Sequence, residues 1–215
     1  MTLQLKNLHL ALNGKPLIAP FDLTIAAGEM TTIMGPSGCG KSSLLAFIAG
    51  DLHPPLMGHG TVTLNGRNLD TLRPEQRRVG RLFQDDLLFP HLTVGENILF
   101  GMPRGEKAAR LDMVHKALER ADIVGFENRM PDTLSGGQRA RVSLMRALMA
   151  KPDCMLLDEP FNKLDQDLRV ALRHYVFEHL RARGIPCLLV THDIADAPEG
   201  GLIFRISKDQ ELTRV

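Results

Sequence analysis

The chain has 215 residues, 44% of them hydrophobic, and a formal net charge of +1. That content excludes a disordered segment, and the near-neutral charge gives no reason to expect nucleic acid or an anionic lipid surface as the main partner. No apolar run approaches the roughly 18 residues a membrane span needs, and Cys39, Cys154 and Cys187 stand singly, as reduced thiols of a cytoplasmic protein and not as a disulfide framework or a zinc site.

In chain order, the residues from Met1 to Asn7 begin directly with strand-like alternation, with no leader segment expected. Thr2 to Leu12 and Phe21 to Ile25 read as outer strands, with Asn13 and Gly14 as the hairpin turn. Met30 to Met34 is a short buried strand, and Ser43 to Ala49 is an apolar helix stopped by Gly50. Thr61 to Leu64 followed by Asn65-Gly66 is a second hairpin signal, and Val79 to Phe83 is another apolar stretch. From about Asp85 to Ala150 the pattern becomes helical. Val94 to Phe100 follows the Thr93 cap, and Glu106 to Ala121 places Ala109, Leu111, Met113, Val114, Ala117 and Leu118 at helical spacing. Cys154 to Asp158 and Cys187 to Thr191 read as buried strands around a helix from Gln166 to Arg183 that Gly184 ends. Two short strands are expected after Gly200, and no repeat, low-complexity tract or further C-terminal domain is expected. Strands alternating with helices predict a mostly parallel sheet.

Two glycine-rich loops carry the chemistry. Gly35, Pro36, Ser37, Gly38, Cys39, Gly40, Lys41 and Ser42 fit G-x-x-x-x-G-K-[ST] at every fixed position, between a predicted strand and a predicted helix that Ser43 continues. Such a loop turns backbone N–H groups toward a polyphosphate, with Lys41 as a point charge on the β/γ-phosphates and Ser42 as a Mg²⁺ ligand. A single loop of this kind fits a kinase, a GTPase or a helicase equally. Leu134, Ser135, Gly136, Gly137 and Gln138 then open a second helix, running from Gln138 to about Ala150, whose N-terminus is another anion-binding element far from the first in sequence.

With both loops present, the chain resembles the ATP-binding subunit of an ABC transporter, of the importer type. The resemblance covers almost the whole chain and implies one ABC ATPase domain over residues 1–215. Its fold class is α/β: a P-loop NTPase core with a mostly parallel sheet, an N-terminal antiparallel β subdomain and an inserted helical signature subdomain at about residues 85–150. It implies ATP and Mg²⁺ as cofactors and ATP hydrolysis as the activity. By position, Asp158 matches the acid that holds Mg²⁺, Glu159 the catalytic carboxylate and His192 the switch histidine on the γ-phosphate. Gln84 matches the Q-loop glutamine that senses Mg²⁺ and the γ-phosphate. Ser135, Gly136, Gly137, Gln138 and Asp165 match residues that complete the site of a partner subunit in a head-to-tail dimer. The implied partners are a second ATPase subunit (homodimer or paired), integral membrane permease subunits and, indirectly, a solute-binding protein, with no nucleic acid. The implied place is the cytoplasmic face of the cell membrane, as a peripheral subunit. The competing reading is a soluble ABC ATPase acting on nucleic acid or ribosomes, but those usually carry paired cassettes, coiled-coil insertions or basic arms.

Two positions depart from the family pattern. The D-loop reads Asn162, Lys163, Leu164, Asp165 where Ser-Ala-Leu-Asp is usual, so a long cation is expected near the subunit seam. Where the family stacks an aromatic on adenine, the register position is Leu12, which covers one face of the base without the stacking contribution of about 1 kcal/mol. Past the Q-loop, Leu87, Leu88, Phe89 and Leu92 beside Asp85, Asp86 and His91 fit two readings equally: a docking patch for a membrane subunit, or the small core of the helical lobe.

Overall fold

A computed structural model describes residues 1–207 and 209–215. The chain divides into two compact units. One comprises Met1–Arg81, Pro152–Glu159 and Phe177–Val215; the other comprises Leu82–Lys151 and Pro160–Val176.

The first unit is built on β1 (Leu3–Leu12), β2 (Lys15–Ile25), β3 (Met30–Met34), α1 (Lys41–Ala49), β4 (Leu56–Leu64), β5 (Arg67–Asn68) and β6 (Val79–Leu82). After the second unit's helices it resumes with β7 (Cys154–Asp158), the end of α5 (Gln166–Ala182), β8 (Cys187–Thr191), β9 (Leu202–Ile206) and β10 (Leu212–Arg214). Among the described residues the strands form a four-stranded sheet in the order β2-β1-β4-β5 and a six-stranded sheet in the order β10-β9-β3-β8-β7-β6. The first is antiparallel, as the two hairpin signals predict; Asn13 and Gly14 sit at φ of 50° and 75°, the turn that a right-twisted hairpin requires. In the second, β3 pairs in parallel with β8 and β9, and β7 with β8. Every residue of β3, β7 and β8 is buried, Thr31 and Thr32 of β3 included, which explains why these strands lack the polar–apolar alternation of a half-exposed strand.

One core joins these sheets. Leu3, Leu5, Leu8 and Leu10 of β1 meet Ile18 and Ile25 of β2, Leu44, Leu45 and Ile48 of α1, and Ile33, Leu156, Leu188 and Val190 of the parallel strands. Arg77 closes the C-terminal end of α1, where Nη1 donates to the carbonyls of Phe47 (3.2 Å) and Ile48 (2.9 Å). Phe47 O also accepts from Gly50 N (3.2 Å), and at this helix C-terminus the buried guanidinium answers both charge and hydrogen bonding.

His179, near the end of α5, makes stability depend on pH. Burial, with a smaller contribution from Arg183, lowers its imidazole to about 4. An unfolded chain protonates histidine near 6.5. Below that pH the unfolded state binds a proton that the folded state refuses, so stability declines until about pH 4. His179→Gln should remove this component: urea midpoints at about pH 7 and about pH 4.5 should differ less for the variant than for wild type. Equal differences in the two proteins would exclude His179 as the source.

The second unit contains α2 (Val94–Gly101), α3 (Lys107–Arg120), α4 (Gly136–Met149) and the start of α5. Thr93 and Glu96 form a reciprocal capping box on α2, and Glu106 caps α3 by accepting from the amides of Ala108 and Ala109. α3 buries Val114, Ala117 and Leu118, while Ala109 and Leu111 face solvent, so its inward stripe is narrower than its apolar spacing predicts. The fully buried Asn97 anchors the irregular stretch before α2: its Oδ1 accepts from Phe89 N (2.9 Å), and its Nδ2 donates to the carbonyls of Phe89, Leu92 and Thr93. Leu88, Phe89 and Leu92 are half-buried, whereas Leu87 is 56% exposed. Phe100, 66% exposed and 4.5 Å from the Phe89 ring, extends this apolar surface beyond what the sequence pattern marks.

Candidate active site

In the first unit, the sequence places its chemistry where parallel strands end. β3 leads into the Gly35–Gly40 loop, in which Gly38 and Gly40 take φ of 80° and 96°. Gly40 is the N-cap of α1 and offers no side-chain cap, so the first amides of that helix carry its positive end without a side-chain acceptor at that position. Lys41 is 7% exposed, and its Nζ donates to the carbonyls of Gly35 (2.8 Å) and Pro36 (2.9 Å), which folds the ammonium back over the loop. Ser42 Oγ donates to Asp158 Oδ1 at 3.0 Å, tying the start of α1 to the end of β7.

Asp158 is 3% exposed. Burial raises its carboxyl above the usual carboxylate range, opposed by the Ser42 hydrogen bond and the Arg81 charge, with Glu159 pushing it further up and Lys41 pulling it down. Glu159 follows at φ of 47°, a left-handed conformation that costs a non-glycine residue about 1–2 kcal/mol. Its amide nevertheless continues the sheet, donating to Val190 O at 2.9 Å. The strained backbone leaves the Glu159 side chain 15% exposed, with Oε1 3.1 Å from His192 Nδ1 at the end of β8. Lys41, Ser42, Asp158, Glu159 and His192 therefore converge at the ends of β3, β7 and β8. Leu12 ends β1, opposite Lys15 and Leu56, and is 39% exposed.

Several supporting residues escape sequence reasoning. Arg81 Nη1 contacts both carboxylate oxygens of Asp51 (2.8 and 2.7 Å), and its Nη2 donates to Ser42 O at 3.2 Å, clamping the first turn of α1. Asp196 is fully buried and accepts from Thr191 Oγ1 at 2.9 Å, while Asp193 N donates to that same hydroxyl oxygen at 3.1 Å. This fixes the backbone on both sides of His192. A charge inside the apolar Val79–Leu82 run and an acid four residues after His192 are the signals that could have marked them.

The second unit carries the remaining expected residues. Gln84 is exposed just past β6. Ser135 is the N-cap of α4: its hydroxyl accepts from Gln138 N, and Gln138 Oε1 accepts from Ser135 N (2.9 Å). Leu134 is buried as the anchor of this turn, and Gly136 and Gly137 are half-buried in the first turn of α4. Asp165 Oδ1 accepts from Leu168 N (3.1 Å) in the first turn of α5, so this aspartate has a capping role besides any role toward a nucleotide.

Together, a helix N-terminus, a nearly buried ammonium and a glycine-rich loop suit a polyphosphate, and the consecutive acids Asp158 and Glu159 at the end of β7 have the chemistry to hold a cation and to accept a proton. Residues 18–162 match the family described as ABC transporter. The chain belongs to that family. It is similar to the ABC transporter ATP-binding protein YnjD of Escherichia coli K12, at 44% identity over 96% of this chain and 95% of YnjD. It is 42% identical to the Fe(3+) ions import ATP-binding protein FbpC of Mesorhizobium japonicum over 99% of this chain, which spans 59% of that protein's length. Among solved structures it is similar to the dimeric bacterial ABC transporter cassette MJ0796 in a post-hydrolysis state with ADP and phosphate. That match has 31% identity, a TM-score of 0.84, and coverage of 98% of this chain and 96% of that one. The expected fold class therefore holds: P-loop core, antiparallel N-terminal sheet and helical signature unit. As a member of this family the chain is an ATP-binding, ATP-hydrolysing cassette.

Proposed function

We propose that this ABC cassette powers solute import, with two copies closing head to tail over two ATP molecules and reopening after hydrolysis. The observation that carries it is the gathering of Lys41, Ser42, Asp158, Glu159 and His192 at three strand ends, with Glu159 and His192 in contact at 3.1 Å. In this reading Lys41 exchanges its bonds to Gly35 and Pro36 for β/γ-phosphate oxygens, and the loop amides from Gly35 to Ser43 cradle the phosphates. Glu159 Oε1 accepts a proton from, or orients, the attacking water, and His192 adds charge stabilisation at the γ-phosphate; positioning and charge do most of the catalysis.

Mg²⁺ fits the residues present. Ser42 Oγ and Asp158 Oδ1 are hard oxygen donors 3.0 Å apart, and burial leaves the Asp158 carboxylate in need of a cation. Bound there, the ion would neutralise phosphate charge. Gln84 is assigned to sensing the ion and the γ-phosphate. Ser135, Gly136, Gly137, Gln138 and Asp165 are assigned to the partner's ATP, and Leu12 to one face of the adenine. No helix among the described residues is long and apolar enough to cross a membrane, and FbpC is by name an import ATP-binding protein. Both support a peripheral subunit on the cytoplasmic face, held by permease subunits and served by a solute-binding protein. The exposed Leu87 and Phe100 are the side chains we assign to permease contact.

Purified chain should release phosphate from ATP only with Mg²⁺, and Lys41→Ala should abolish it. Tagged chain expressed in its own cell should co-purify with a polytopic membrane protein. An active chain that co-purifies with no polytopic membrane protein would overturn import and leave a soluble ATPase.

A further inference from the structure

Lys163 does not extend freely into solvent. Its Nζ lies 3.1 Å from Asp86 Oδ1, and the Asp86 side chain is only 13% exposed. Asp86 Oδ2 is 3.5 Å from Arg139 Nε on α4, and Arg139 Nη1 donates to Leu134 O at 2.6 Å. The Asp86 carbonyl accepts from Arg146 Nη2 at 3.2 Å, so its backbone is fixed as well. The D-loop backbone also abuts the signature helix directly: a Cβ placed on Gly137 would stand 2.9 Å from Lys163 O, so only glycine permits this approach. Three segments thus meet through one half-enclosed carboxylate: residue 86 after the Q-loop, the signature turn, and the D-loop.

We propose that Lys163 is a positioning residue for ATP hydrolysis, holding the D-loop against the signature turn through the shared Asp86 carboxylate. It touches neither reacting atom. This inference rests on the reading under Proposed function, in which Ser135 and Asp165 complete the partner's site. A displacement of the D-loop then misplaces both residues for the transition state while Lys41 and the phosphate loop still bind ATP. The effect is therefore on kcat and not on KM. A cation at this D-loop position, where the family usually has alanine, acquires a reason: it supplies a tether that a methyl group cannot.

The test measures phosphate release against ATP concentration for wild type, Lys163→Ala, Lys163→Arg, Asp86→Asn and the control Lys116→Ala. The control breaks a closer but solvent-exposed pair, Lys116–Asp112 at 2.6 Å, of a kind that contributes little. Lys163→Ala should lower kcat about five- to tenfold with KM for ATP within about twofold; tenfold is about 1.4 kcal/mol of barrier. Lys163→Arg should recover to within about twofold of wild type, because its guanidinium still reaches a carboxylate. Adding Asp86→Asn to Lys163→Ala should cost less than the product of the two single losses, the mark of one shared interaction. Lys163→Ala at wild-type kcat, a parallel rise in KM, or no recovery with arginine would each overturn the assignment. A wild-type chain without ATPase activity would instead overturn the reading under Proposed function, and the role of Lys163 with it.

Discussion

Glu159→Gln should slow ATP hydrolysis by about 10²–10⁴, the usual contribution of a positioned general base, while leaving ATP binding intact. The side chain is only 15% exposed and reaches His192 Nδ1 at 3.1 Å, on a backbone held at φ of 47°. Glutamine keeps that shape and its hydrogen-bonding capacity but cannot take a proton from water. It also removes a negative charge beside Asp158, whose carboxyl Glu159 pushes upward, so phosphate binding should be no weaker. With ATP bound and hydrolysis blocked, the closed head-to-tail dimer should accumulate, and size-exclusion chromatography with ATP and Mg²⁺ should show it for the variant. The corresponding result for wild type should be a monomer–dimer mixture that relaxes as ATP is consumed. Turnover at the wild-type rate in Glu159→Gln would remove Glu159 from the chemistry.

The parallel strands and the loops after them were legible because each is dictated locally. β7 and β8 are near-continuous apolar runs and β3 a short run broken only by Thr31 and Thr32, each leading into chemistry-bearing residues, and the Ser135–Gln138 capping box needs only four consecutive residues. Elements shaped by tertiary neighbours were not. β2 begins at Lys15, although Pro16 and Pro20 punctuate its first half; it lies at the edge of its sheet, where a missing N–H donor is tolerated. β4 begins at Leu56 and runs through Gly58 and Gly60, ahead of the Thr61 start that the hairpin pattern marks. Gly58 is required because the Phe47 ring of α1 packs where a Cβ would stand, a contact between distant segments that no local pattern shows. The site divides in the same way. The residues expected to touch nucleotide were identifiable from motifs, whereas Arg81, Asp51 and Asp196 act on those residues through folding, and only the structure pairs them.

Specific ATPase activity should fall when the wild-type chain is diluted, because the proposed head-to-tail arrangement builds each site from two chains. One chain carries two helix N-termini suited to phosphate. That of α1 has no side-chain cap and lies beside Lys41, Ser42 and Asp158; that of α4 is capped by Ser135, whose O–H remains available as a donor. If both acted on one ATP within a monomer, activity per chain would be independent of concentration. If they act in trans, turnover should track the dimer population, falling with dilution and recovering on concentration. Mixing Lys41→Ala with Ser135→Arg, each inactive alone, separates the possibilities further. In each mixed dimer one site carries both lesions and the other carries neither, so partial activity should return where neither parent has any. Coupling between the two sites can suppress that recovery, which makes dilution of wild type the cleaner measurement. Specific activity that stays flat far below the dimer dissociation constant would exclude the composite site and would place the signature turn in some role other than closing over a partner's ATP.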